Sequence, residues 1–175
     1  MRIEEDVKLD FKDVLIRPKR STLASRSEVA LERTFSCRWS KHKLTGVPII
    51  AANMDGVGTM AMAKTFDKIG QGMSVALIKH YSLEAFDEFY GGGHGKNAWY
   101  SIGVGGNDLE KLDAFIAKGH TVDRLCIDVA NGYSEPFVDF IKQMRDKLPD
   151  AVIMAGNVVT GEMVEQLVLN GADVV

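Results

Sequence analysis

Short apolar runs alternate with amphipathic stretches along most of the chain. Each run is bounded by polar or glycine residues, and together the runs cover residues 47–53, 73–78, 98–104, 124–130 and 151–157, with a further start at 173–175. Between the runs, apolar residues recur at a spacing near that of a helix, as at Leu109, Leu112 and Ile116. Continuous apolar strands that alternate with helices predict a parallel sheet covered by its crossover helices.

The number of these units limits the possible folds. A (β/α)8 barrel needs eight units and typically about 250 residues, whereas this chain supplies about five units and the start of a sixth strand. We therefore predict an α/β fold in which residues 47–175 form the first part of a TIM (β/α)8 barrel, preceded by a segment, residues 1–46, that contains a β-hairpin. An open doubly wound sheet is the alternative, but the strand ends look alike in every unit, which favours a barrel mouth.

Composition excludes several functional classes. The chain has 175 residues, of which 46% are hydrophobic and 26% charged, with a net charge of −3. Its basic residues are interspersed with acidic ones, so we expect no nucleic-acid partner. No apolar run approaches the roughly 18 residues of a membrane span, and the acidic start of the chain lacks the apolar segment of a signal peptide, so we expect a cytoplasmic protein without a membrane partner.

Two cysteines, Cys37 and Cys126, are too few for a disulfide framework or a CxxC metal site. Cys126 lies inside an apolar run, a position that is typical of a small buried hydrophobic residue in a strand. We therefore do not expect Cys126 to be a nucleophile.

Polar residues and glycines follow the apolar runs, where ligands bind in parallel α/β folds. They are Asn53, Asp55, Lys79, Gly105, Gly106, Asp128, Asn131 and Asn157. Amides, carboxylates, an ammonium group and glycine backbone suit a ligand with hydroxyls, amides and phosphate, so the residues alone predict a polar-rimmed barrel that binds a nucleotide. Two alternatives stay open: the carboxylates of Asp55 and Asp128 serve only to satisfy loop amides, and Lys79 is a solvated charge.

Four long sequence motifs indicate the family that the chain resembles. They are FKDVLIRPKRS from Phe11, VPIIAANMD from Val47, IDVANGYSE from Ile127 and AGNVVTGEM from Ala155. Together they resemble the GMP reductase branch of the IMP dehydrogenase/GMP reductase family, and specifically its amino-terminal half. IMP dehydrogenases usually carry a large regulatory insert between the second helix and the third strand, whereas this chain has only the short connection at residues 91–96.

The resemblance implies NADPH-dependent reductive deamination of GMP to IMP and ammonia, in a cytoplasmic homo-oligomer that is a tetramer. A family cysteine attacks the purine, and hydride from the nicotinamide then reduces the adduct. This cysteine and the K+-binding glycines of its loop are expected after Val175, so we expect no catalytic residue and no metal ligand within these 175 residues, and no activity of the chain alone. The alternatives are an IMP dehydrogenase without its insert, which uses NAD, and a non-catalytic half barrel that binds nucleotide.

The resemblance also assigns cofactor-binding residues. Ser25 and Arg26, in a loop of the amino-terminal segment, are expected to meet the adenosine end of NADPH from a neighbouring subunit, with Arg26 at the 2′-phosphate. Lys79 is expected to join them. The dinucleotide site near the nicotinamide is expected to be lined by Asp128, Val129 and Ala130.

Three motifs depart from the sequence that is usual in the family. Gly56 replaces a threonine in AANMDTVGT, Ile78 replaces the first histidine of HKHY, and residues 101–104 read SIGV where the family often has SSGT. The lost hydroxyls and imidazole change the polar groups at the cofactor end of the predicted site.

Overall fold

The computed structural model describes Ile3 and residues 5–175. Met1, Arg2 and Glu4, which are part of the acidic start of the chain considered above, lie outside the described residues. The chain divides into two compact units, Met1–Ala30 and Leu31–Val175. The predicted division between residues 46 and 47 stays a prediction.

The first unit contains two short 3-10 helices, Phe11–Asp13 and Arg26–Glu28. Asp10 caps the first one, because its carboxylate accepts a hydrogen bond from the backbone N–H of Phe11 at 2.7 Å. Ser25 caps the second in the same way through the N–H of Ser27, at 3.3 Å. Local side chain to backbone bonds therefore shape both turns.

The second unit begins with an antiparallel hairpin of β1 (Arg33–Ser36) and β2 (Lys43–Gly46), in which Arg33 pairs with Gly46 and Ser36 with Lys43. The hairpin thus groups with the residues that follow it. Cross-strand Thr34 and Thr45 join their hydroxyls at 3.0 Å.

Five parallel strands with alternating helices make up the rest of this unit, which confirms the predicted partial barrel. In chain order the elements are β3 (Ile50–Ala51), α1 (Met60–Ile69), β4 (Ser74–Ala76), α2 (Leu83–Gly91), β5 (Ala98–Ile102), α3 (Gly106–Ala117), β6 (Arg124–Asp128), α4 (Glu135–Lys147), β7 (Val152–Gly156) and α5 (Gly161–Leu169). The strands pair in sequence order, β3 to β7. Val174 then forms a parallel bridge with Met154, where the start of a sixth strand was predicted.

The first barrel strand is shorter than the apolar run that predicted it. β3 covers only Ile50–Ala51 of residues 47–53. Pro48 has no N–H to donate to a ladder, and the N–H of Ile49 bonds within the chain to the carbonyl of Val47 at 2.7 Å. The run therefore enters the sheet only after this turn.

Side-chain hydroxyls cap the first two helices of this unit, whereas Ser134 and Thr160 precede α4 and α5 without a side-chain cap bond. Thr59 and Ser82 cap α1 and α2 through their hydroxyls, at 3.1 and 3.2 Å from the N–H groups three residues on. The polar residue Asn107 would suggest a cap at that position, but Asn107 lies inside α3, and the cap is Gly105, without a side-chain bond. The side chain of Asp108 bonds instead to the backbone before the helix, as described below.

Both faces of the sheet are buried, which explains the continuous apolar runs. Phe86, Tyr100 and Phe115 belong to the large core between strands and helices. Neighbouring strand residues Trp99 and Cys126 belong to a second cluster with parts of the hairpin. Cys126 is therefore buried as predicted, and burial raises the pKa of its thiol to about 11. Within the described residues, no helix combines the length and apolar character needed to cross a bilayer.

Candidate functional site

The carboxyl ends of the barrel strands surround a cavity of about 390 Å³. Its polar side chains are Asn53, Asp128 and Asn157, which follow or end β3, β6 and β7. The remaining lining is largely apolar and includes Ile50, Ala76 and Cys126 among others. A concave site with a few convergent polar groups is the usual form of a small-molecule site, and here it lies where parallel sheets bind ligands.

Backbone and side-chain bonds join the ends of β6 and β7. The N–H of Val129 donates to the carbonyl of Gly156 at 2.8 Å, and the N–H of Asn157 donates back to the carbonyl of Val129 at 2.9 Å. The Asn157 side-chain amide lies 3.4 Å from Asp128 Oδ1 and 3.3 Å from the Val129 carbonyl. The predicted residues Asp128 and Val129 are thus held in one network with Asn157, while Ala130 is exposed beside them.

Lys79 approaches the same end of the sheet after β4. A Cβ atom placed on Gly103, the residue after β5, would lie 3.3 Å from Lys79 Nζ. The same point lies 3.9 Å from the carbonyl oxygen of Asp128. Asp108 Oδ2 lies nearer still, at 3.1 Å from this point, so Lys79, Asp108 and the Asp128 backbone all approach a buried glycine.

Ser25 and Arg26 lie in the first unit, at the start of its second 3-10 helix, and both are exposed. The Ser25 hydroxyl is 2.9 Å from that of Ser27 and serves the helix cap. Their assignment to the adenosine end of NADPH stays a prediction.

Two residues of α3 that contact these strand ends were not predicted from the sequence. Asp108 Oδ2 accepts a hydrogen bond from the N–H of Gly103 at 2.6 Å. Lys111 donates from Nζ to the carbonyl of Lys79, and lies 3.3 Å from the carbonyl of Tyr81. Burial lowers the pKa of Lys111, against the opposing effect of Asp108. Their spacing of three residues places both on one helix face, but nothing in the local pattern indicates the loops that they bind.

The loops after β6 and β7 are also joined. The Tyr133 hydroxyl accepts a hydrogen bond from the N–H of Val159 at 2.9 Å and donates to Thr160 Oγ1 at 3.2 Å. The bond to Thr160 is the main cause of a lowered pKa of Tyr133. Gly132 allows the close approach of these loops, since a Cβ there would lie 2.8 Å from the carbonyl of Asn157.

Among Ile3 and residues 5–175 there is no group of three or more His, Cys, Asp or Glu side chains placed to hold a metal ion. Cys37 is buried like Cys126, and burial is the main cause of its raised pKa.

Comparison with known proteins gives consistent matches. Residues 95–175 match the family model "IMP dehydrogenase / GMP reductase domain". The chain is 55% identical to GMP reductase 2 of Homo sapiens over 175 residues, covering 99% of this chain and 50% of that protein. It is 53% identical to GMP reductase of Yersinia pestis (strain Pestoides F) over 178 residues, covering 100% of this chain and 51% of the relative.

A solved structure supports the fold. The crystal structure of inosine 5′-monophosphate dehydrogenase from Legionella pneumophila superposes with a TM-score of 0.74 at 30% identity, covering 93% of this chain and 48% of that one. The chain thus spans about half the length of the curated relatives that it matches. Together with the partial barrel, these matches make the chain similar over its whole length to one half of GMP reductases, and its residues 95–175 similar to the IMP dehydrogenase / GMP reductase domain.

Proposed function

We propose that the protein carrying this chain catalyses the NADPH-dependent reductive deamination of GMP to IMP and ammonia. Identity above 50% to GMP reductases across the whole chain is the observation that carries this proposal. The structural match to an IMP dehydrogenase is at 30% identity, so the reductase is the better supported of the two activities. The protein is proposed to act in the cytoplasm as a homotetramer and to require K+.

The strand ends have the donor chemistry that a dinucleotide needs. Within the described part of the chain, the Lys79 ammonium forms no hydrogen bond and no ion pair, and beside it Gly103 presents no side chain. A half-buried ammonium group without a partner suits a phosphate or a ribose hydroxyl. These residues therefore fit a nicotinamide dinucleotide, which when bound supplies the hydride for the reduction.

Each residue then has a proposed role. Lys79 binds the polar part of NADPH, and Asp128, Val129 and Ala130 line the site near the nicotinamide. Ser25 and Arg26 bind the adenosine end of a cofactor held by a neighbouring subunit. Neither Cys37 nor Cys126 suits a nucleophile, because both thiols are buried with raised pKa values. The family cysteine and the K+ site are expected outside these 175 residues.

The activity is tested with the full-length protein that carries this chain. We expect it to oxidise NADPH in the presence of GMP and to release one ammonia for each NADPH consumed. IMP with NAD is the control pair. Reduction of NAD by IMP, with no oxidation of NADPH by GMP, would identify a dehydrogenase and refute the proposal. Binding of both nucleotides without turnover would favour the non-catalytic alternative.

The role of Arg26 has a separate test. Replacing Arg26 by Ala is expected to raise the KM for NADPH by more than the KM for NADH, because only NADPH carries the 2′-phosphate that the guanidinium recognises. Arg20→Ala is a matched control, because Arg20 is also an exposed arginine of the first unit. An equal rise for both cofactors would remove the proposed contact.

A further inference from the structure

Two side chains on one face of α3 hold the backbone that follows two neighbouring strands. Asp108 accepts from the N–H of Gly103 after β5, at 2.6 Å. Lys111 donates to the carbonyls of Lys79 and Tyr81 after β4. One helix face therefore ties together the loop that carries Lys79 and the glycine beside which the Lys79 ammonium lies.

We propose that Lys111 is a positioning residue for cofactor binding: by binding the carbonyls of Lys79 and Tyr81 it holds the loop that directs the Lys79 ammonium toward Gly103 and Asp128. This inference rests on the proposed function and adds a residue to it. Lys111 contacts the loop backbone and acts only through Lys79.

The surroundings of Lys111 explain why it binds this loop. Its ammonium lies 5.5 Å from the centroid of the Phe86 ring, in a partly buried position where a cation is favourably placed over an aromatic face. Among the described residues it forms no ion pair, so the loop carbonyls are its hydrogen-bond acceptors. Removing the ammonium would leave these carbonyls without their donor and free the loop to move.

The two bonds also constrain the loop at two points. Lys79 and Tyr81 flank His80, and a donor fixed to both carbonyls limits rotation of the peptide units between them. Asp108 fixes the facing backbone, because its carboxylate holds the N–H of Gly103. The distance between the Lys79 side chain and Gly103 is thus set from the same helix on both sides.

The test uses the full-length protein and the variant Lys111→Met, which has a similar length and no donor. The KM for NADPH is expected to rise about tenfold, in line with the loss of hydrogen bonds from a charged donor, whereas the KM for GMP stays within about twofold. Lys111→Arg restores a charged donor and is expected to recover most of the affinity. Lys68→Met is the control, because Lys68 is an exposed lysine at the end of α1.

A double variant separates positioning from a general loss of stability. In a Lys79→Ala background, Lys111→Met is expected to change the KM for NADPH by less than about twofold, because the group that it positions is absent. Independent, multiplicative effects of the two substitutions would overturn the inference. If Lys111→Met does not fold, Lys111→Gln replaces it in the same comparison.

The outcome for the unmodified protein separates the two proposals. If it oxidises NADPH with GMP and Lys111→Met behaves like Lys68→Met, the positioning role is wrong and the proposed function stands. If the unmodified protein shows no such oxidation, the proposed function is refuted, and the inference about Lys111 is refuted with it.

Discussion

Replacing Asp173 by Asn removes one negative charge from a fully buried side chain that several donors share. Asp173 Oδ2 lies 2.8 Å from Arg145 Nη2, and the exposed fractions of the two side chains are 0% and 9%. Its other oxygen, Oδ1, accepts hydrogen bonds from the N–H groups of Trp39 at 2.7 Å and Ser40 at 3.4 Å. The carboxylate therefore connects the loop after β1 to α4 and to the chain beside β7.

An asparagine at position 173 cannot accept hydrogen bonds from both Arg145 and the N–H of Trp39. It has one acceptor oxygen and one NH2 group, so whichever way the amide points, an N–H faces either Arg145 or the N–H of Trp39. Arg145 also keeps its bonds to the carbonyls of Gly171 and Ala151 but loses its counter-charge. Breaking a buried pair by removing one partner typically costs about 3–5 kcal/mol, and we expect the free energy of unfolding to fall by that amount.

The assay is equilibrium unfolding in urea, followed by tryptophan fluorescence. With a slope of about 2 kcal/mol per molar urea, the midpoint is expected to fall by about 1.5–2.5 M. Asp150→Asn is the control, because Asp150 is an exposed carboxylate of the same region and forms no ion pair within the described residues. A loss below about 1 kcal/mol in Asp173→Asn would show that the pair contributes no more than a surface salt bridge, and the reasoning would be wrong.

Three further predictions follow from single contacts. Gly103→Ala is expected to raise the KM for NADPH with little change in melting temperature, because the new Cβ would press on two side-chain ends, Asp108 Oδ2 at 3.1 Å and Lys79 Nζ at 3.3 Å. A large loss of stability with an unchanged KM would contradict this. Cys126, with a pKa raised to about 11, has only about one thiolate in a thousand at pH 8, so mass spectrometry should find it unalkylated by iodoacetamide until the protein unfolds. The pKa of Asp87 is lowered from 3.8 by its bonds with Lys118 and then His120, so the stability gap to Asp87→Asn should be present above the ordinary carboxyl pKa and close as the pH falls through the lowered pKa.

The alternation of apolar runs and helices was enough to predict the architecture. Because both sheet faces are buried, each strand appears as a continuous apolar run, and the runs at β5, β6 and β7 include the whole of each strand. The strand β3 is much shorter than its apolar run, because Pro48 and the turn at Val47 interrupt the hydrogen bonds between strands without interrupting the apolar pattern. An apolar pattern indicates that residues are buried, but a buried apolar residue need not be hydrogen-bonded to a neighbouring strand.

The candidate site was predicted less completely, for a physical reason. Asp128 and Lys79 were identified because polar residues at strand ends are conspicuous in a parallel α/β pattern. Lys111 and Asp108 were missed, because they look like ordinary charges on a helix and their partners are backbone atoms up to 32 residues away. A sequence pattern shows where side chains leave an element, but it does not show which carbonyl or N–H they meet.

The contacts at the strand ends are made between neighbouring units of the fold. Asn157 after β7 bonds to the backbone of Val129 after β6, and Lys111 of α3 bonds to the loop after β4. Because the ends of β4 and β6 are each held by the next unit, the positions of Lys79 and Asp128 depend on residues about 30 positions away in the chain. Substitutions on the far side of these loops should therefore change cofactor affinity without touching the ligand, and their effects should disappear when the group that they support is removed.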